Sequence, residues 1–93
     1  MKAKMYNYNY WLKETDPNKL KEVYDKLLNK SGFNVLKYID HHFTPFGFTA
    51  LYLLSESHLA IHTFPEEGKS YIELSSCIDK PFYKFKNLLN IEI

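Results

Sequence analysis

Phe48-Thr49-Ala50-Leu51-Tyr52-Leu53-Leu54-Ser55-Glu56-Ser57-His58-Leu59-Ala60-Ile61-His62-Thr63-Phe64 decides the fold, because two strand-length apolar runs meet at a polar corner. Phe48 to Leu54 is extended, Ser55-Glu56-Ser57 interrupts it, and His58 to Phe64 resumes the apolar pattern. Upstream, Pro45-Phe46-Gly47 is a turn signal that joins a further extended stretch, Phe33 to Phe43, to Phe48 as a hairpin. Downstream, Pro65-Glu66-Glu67-Gly68 makes another turn before Tyr71 to Ser76.

The flanks add a strand and two helices. Tyr6, Tyr8, Tyr10 and Leu12 alternate with Asn7 and Asn9, the period of a half-buried strand. Asp16 before Pro17 reads as an N-cap with proline in the first turn. Leu20, Val23, Tyr24, Leu27 and Leu28 then form one apolar helical stripe that Ser31-Gly32 stops. Asp79 and Pro81 start a final short helix carrying Phe82, Phe85, Leu88 and Leu89. Strand, helix, four strands, helix predicts an α+β two-layer sandwich, a mostly antiparallel sheet with helices on one face. The expected organisation is a single domain over residues 1–93, without repeats, linker or low-complexity segment.

Composition narrows the function. A chain of 93 residues buries only roughly 60–65% of its unfolded surface, so a partner subunit would help it. Hydrophobic residues make up 45% and aromatic residues 17%, which excludes disorder and leaves rings available for a flat ligand. Net charge is +1, with no electrostatic footprint for nucleic acid or anionic lipid. No apolar run approaches the ~20 residues of a membrane span, and Met1-Lys2-Ala3-Lys4 lacks the apolar segment of a signal peptide. The lone Cys77 forms no internal disulfide and suits a reducing compartment, so a cytoplasmic location is expected.

Ser55 to Glu66 concentrates two serines, two histidines and two glutamates around one strand junction. A polar hairpin corner accounts for them blandly. His58 and His62, four apart, share one strand face, but Cys77 would be the sole soft ligand of a zinc site, and no metal is expected. Ser57, His62 and Glu66 supply the residue types of a hydrolase triad, yet no Gly-x-Ser-x-Gly elbow surrounds either serine.

The sequence resembles the small prokaryotic S-adenosylmethionine decarboxylases, a pyruvoyl-dependent family whose proenzyme cuts itself inside a Ser-Glu-Ser-His motif. The likeness runs from His42-Phe43-Thr44-Pro45-Phe46-Gly47-Phe48-Thr49, through Ser55-Glu56-Ser57-His58 and Ile61-His62-Thr63-Phe64-Pro65-Glu66, to Cys77. It implies that Ser57 attacks the carbonyl carbon of Glu56 and is converted into the pyruvoyl cofactor. His62 would transfer protons during this maturation, a task suited to imidazole. Thr49 stands where the family commonly has a serine, also implicated in processing.

The resemblance further implies that the pyruvoyl ketone condenses with a substrate amine and draws off the electrons released with CO2, in place of pyridoxal phosphate. Cys77 would return a proton to the substrate carbon. Phe43 and Phe64 match an aromatic sandwich for adenine, and Glu66 a group that accepts from ribose hydroxyls. Phe64 departs from the tryptophan often found there, and Glu73 from a frequent aspartate. The implied partners are S-adenosylmethionine and a second copy in a homodimer. Arginine or ornithine as substrate, and an uncleaved regulatory homologue, are the alternatives.

Overall fold

A computed structural model of the chain describes residues 3–92. Strand β1 (Tyr6–Leu12) leads into helix α1 (Pro17–Ser31), followed by β2 (Val35–His42), β3 (Phe48–Leu54), β4 (Ser57–Phe64), β5 (Lys69–Ser76) and helix α2 (Asp79–Glu92). All sheet pairings are antiparallel, in the order β1-β5-β4-β3-β2, and both helices pack on one face. This is the expected α+β two-layer sandwich. No described helix is long and apolar enough to cross a membrane.

Local chemistry sets the helix ends. Asp16 accepts from the Lys19 N–H at 2.9 Å, satisfying one of the donors exposed in the first turn. At the other end Gly32 adopts φ +96°, where its N–H donates to Asn29 O at 3.2 Å. Helix α2, at 14 residues, is longer than the short helix read from the sequence. Its stripe of Phe82, Phe85 and Leu89 is buried, and it packs along α1 as well as the sheet. β2 starts at Val35 rather than Phe33, because Phe33 turns into the core directly after the helix cap.

Alternation divides the sheet cleanly. Leu59, Ile61, Ile72 and Leu74 point to the helices and are fully buried, each stabilising the fold by about 1.5–3 kcal/mol relative to exposure. Ile39, Leu51 and Leu53 lie on the opposite, open face and remain 68%, 47% and 49% exposed. Two tyrosine pairings stitch the layers together. Tyr10 and Tyr24 share a hydroxyl hydrogen bond at 2.8 Å, and Tyr52 donates to Asp25 Oδ1 at 2.7 Å.

Burial pushes the Tyr10 and Tyr24 phenols well above the ordinary tyrosine range. In alkali the unfolded chain therefore releases protons that the folded chain retains, and stability falls as pH rises. Urea unfolding should show a stability plateau near neutrality and a decline above about pH 10, the ordinary tyrosine pKa. Tyr24→Phe should make that decline shallower.

Candidate active site

The polar corner is a two-residue connection. Leu54 on β3 pairs with Ser57 on β4, leaving Ser55 and Glu56 to turn the chain. Glu56 takes φ +57°, a left-handed conformation that costs a non-glycine L-residue about 1–2 kcal/mol. Its carbonyl oxygen accepts from the Cys77 N–H at 3.2 Å and from Cys77 Sγ at 3.0 Å. Two donors from one residue thus converge on the carbonyl that precedes Ser57.

Ser57 itself is buried on the helix-facing side, where β4 pairs it with Ser76 of β5. Its hydroxyl donates to Ser76 Oγ at 2.7 Å. Beside the corner, a cavity of about 410 Å³ is lined by Lys4, Tyr6, Glu56, Cys77 and Asp79 among others. Glu56 and Cys77 both line it, so a small molecule entering there lies beside the corner.

His62 belongs to a different group. It lies in a cross-strand row with Trp11, Tyr71, Thr49 and His41 on the open face. Thr49 Oγ1 and His62 Nδ1 are hydrogen-bonded at 3.1 Å, and the imidazole stacks against the Tyr71 ring with centroids 6.4 Å apart. Tyr71 is held in turn, accepting from Asn9 Nδ2 at 2.8 Å and donating to Glu73 Oε1 at 3.2 Å. Five positions separate Ser57 from His62, an odd interval that puts them on opposite faces and roughly 16 Å apart along β4. One chain does not bring these two residues together. His58 and His62 do share a face, as their even spacing requires.

Phe43 and Phe64 project from the open face at the far end of the sheet. The Phe43 N–H donates to Gly47 O at 2.8 Å, and the β3–β4 register places Gly47 beside Phe64. Gly47 has φ +113°, a left-handed conformation that favours glycine, and lies against the Phe43 side chain. Both rings are partly exposed, and Phe64 is backed by Trp11 at 5.9 Å. Glu66 follows in the short 3-10 turn Pro65–Glu67 and is exposed. Among the described residues, no group of three or more His, Cys, Asp or Glu is arranged to hold a metal ion.

Sequence reading did not single out Ser76 or Tyr71. Nothing local marks them, since their importance comes from the β4–β5 register.

The architecture has a solved counterpart. The adenosylmethionine decarboxylase of Aquifex aeolicus superposes with a TM-score of 0.77 over 99% of this chain and 82% of that one, at 21% identity, which defines the fold. The family profile described as S-adenosylmethionine decarboxylase matches residues 6–90, and the chain belongs to that family. A Prochlorococcus marinus S-adenosylmethionine decarboxylase proenzyme is 45% identical over 51 residues, covering 55% of this chain and 41% of the relative. The Syntrophomonas wolfei protein of the same name is 36% identical over 66 residues, covering 68% of this chain and 52% of the relative. The chain thus spans about half the length of the curated relatives it matches, or less.

The left-handed Glu56 gives a direct test of the corner. Replacing a non-glycine residue at positive φ by glycine removes the steric penalty but adds unfolded-state entropy. In the Ser57→Ala chain, Glu56→Gly should leave a net gain of about 0.5–1 kcal/mol, read from urea unfolding beside Ser57→Ala alone.

Proposed function

We propose that the chain is a proenzyme that cuts itself between Glu56 and Ser57 and, once matured, decarboxylates S-adenosylmethionine. The observation that carries this reading is the Glu56 carbonyl, gripped by the N–H and thiol of Cys77 directly before a buried serine. An amide becomes a target for its neighbouring hydroxyl when charge on its oxygen is stabilised in advance. Oxyanion donors contribute on the order of 3 kcal/mol in other acyl-transfer sites.

Maturation begins when Ser57 Oγ attacks the Glu56 carbonyl carbon. The C–O bond forms, the Glu56-Ser57 C–N bond breaks, and the hydroxyl proton is lost from oxygen while the nitrogen gains one, giving an ester. Removal of the Ser57 Cα proton then expels the Glu56 carboxylate, and water releases ammonia to leave a pyruvoyl group at position 57. His62 is the proton-transfer group for this phase. The Thr49 hydroxyl fixes its Nδ1 side and leaves Nε2 to act.

The pyruvoyl group supplies the electron sink for loss of CO2. Protein residues bind and protonate: Phe43 and Phe64 flank adenine, and Glu66 accepts from the ribose. Phe64 lies seven positions along β4 from Ser57, roughly 23 Å, so these residues serve the pyruvoyl group of a second copy in a homodimer. Cys77, which lines the cavity, returns a proton from its thiol to the substrate carbon. Stacking of this kind contributes about 1 kcal/mol per ring beyond burial.

Purified protein should resolve by mass spectrometry into one fragment ending at Glu56 and a second blocked by a pyruvoyl group, whereas Ser57→Ala stays intact. Cys77→Ala retains the backbone donor and should mature, more slowly, yet turn over poorly. Labelled CO2 should come from S-adenosylmethionine far faster than from arginine or ornithine; equal release would discard the nucleoside pocket but keep the cofactor. A wild-type chain that stays whole at neutral pH would instead identify a regulatory homologue.

The separation of Ser57 from His62 supports a homodimer. The midpoint between them on β4 falls beside Ala60, so a two-fold axis there, with open faces packed together, brings His62 of the partner subunit to the Ser57 end of the strand, on the face opposite the Ser57 hydroxyl. The same packing covers the exposed Ile39, Leu51 and Leu53. Leu51→Glu should therefore shift sedimentation toward the monomer and slow maturation together. A stable, self-cleaving monomer at micromolar concentration would rule out the shared site.

A further inference from the structure

Ser57 is not a free hydroxyl. Its proton is committed to Ser76 Oγ at 2.7 Å, and Ser76 is in turn fixed from two sides, donating to Ile78 O at 3.0 Å and accepting from the Ile78 N–H at 3.0 Å. Ser76 is completely buried and Ser57 nearly so, which leaves the pair no competing water. The adjoining residue, Cys77, grips the Glu56 carbonyl. Three consecutive positions at the end of β5 therefore hold the hydroxyl and the carbonyl between which the new bond must form.

We propose that Ser76 is a positioning residue for self-cleavage. By taking the Ser57 proton as a hydrogen bond, it fixes the Ser57 side-chain torsion and leaves the oxygen lone pairs, rather than the hydrogen, available for the Glu56 carbonyl carbon. This rests on the self-cleaving reading given above. Ser76 does not serve as the base: its oxygen already accepts two hydrogen bonds, and a neutral hydroxyl is too weakly basic to keep the proton. Its contribution is geometric, applied to the amide-to-ester step alone, and that step only isomerises the chain with no change of oxidation state.

The test follows maturation of Ser76→Ala, Ser76→Cys and Ser76→Thr beside wild type by intact mass, with thermal unfolding of each. Loss of one neutral hydrogen bond of about 1.4 kcal/mol should slow cleavage of Ser76→Ala about tenfold. Ser76→Cys, which keeps the size but donates and accepts weakly, should slow similarly, and Ser76→Thr should restore the rate. Uncut Ser76→Ala should contain no hydroxylamine-labile ester, because the block precedes ester formation. If Ser76→Ala does not fold, Ser76→Cys decides the matter. Wild-type cleavage rates in the folded Ala or Cys variant, equal slowing in Ser76→Thr, or an accumulating ester would each overturn the role. Wild-type protein that fails to cleave at Glu56-Ser57 would sink the underlying proenzyme reading instead.

Discussion

The antiparallel ladder between β4 and β5 is the constraint on which the site depends. It sets Ser57 opposite Ser76 and His62 opposite Tyr71. Because side chains alternate faces, a slip of one residue would turn Ser57 to the open face and bury His62 under the helices. Leu59, Ile61, Ile72 and Leu74 lock that register by filling the core from the same two strands. Packing and chemistry are thus fixed by one set of hydrogen bonds, and the polar corner borrows its precision from the apolar residues beside it.

The two sides of the sheet divide the labour. The helix-facing side holds the Ser57–Ser76 pair in a dry setting, where a neutral hydrogen bond has no water to compete with it. The open side carries Thr49, His62, Tyr71, Phe43 and Phe64, partly or well exposed and free to meet a ligand or a second copy. The Glu56 carbonyl and the Cys77 thiol sit at the strand ends where these two environments meet. The Ser57 hydroxyl and the His62 imidazole therefore stand in different surroundings, one dry and one open.

Much of the architecture was legible residue by residue. Asp16-Pro17 and Gly32 delimit α1, the tyrosine-asparagine alternation marks β1, and the Pro45-Gly47 and Pro65-Gly68 turns bound the central strands. Strand order was not legible, since β1 pairs with β5 across most of the chain and no local signal encodes so distant a partner. The same gap hid Ser76 and Tyr71, ordinary residues whose neighbours come from another strand. The opposite facing of Ser57 and His62 was readable, because an interval of five in a strand is odd. The family resemblance implies one mechanism for them without saying that a single chain holds them apart.

The strand order also governs what a break at the corner does to the molecule. The segment before the break carries β1, α1, β2 and β3, and the segment after it carries β4, β5 and α2. In the sheet, β5 lies against β1 and β4 against β3, so the second segment is clasped on both edges by the first. Helix α2 also packs on α1. The two pieces can part only by unzipping two full ladders and the shared core at once. A severed backbone therefore leaves a sheet that remains continuous, with a loosened strand end at residue 57 and room to move only where the turn used to be.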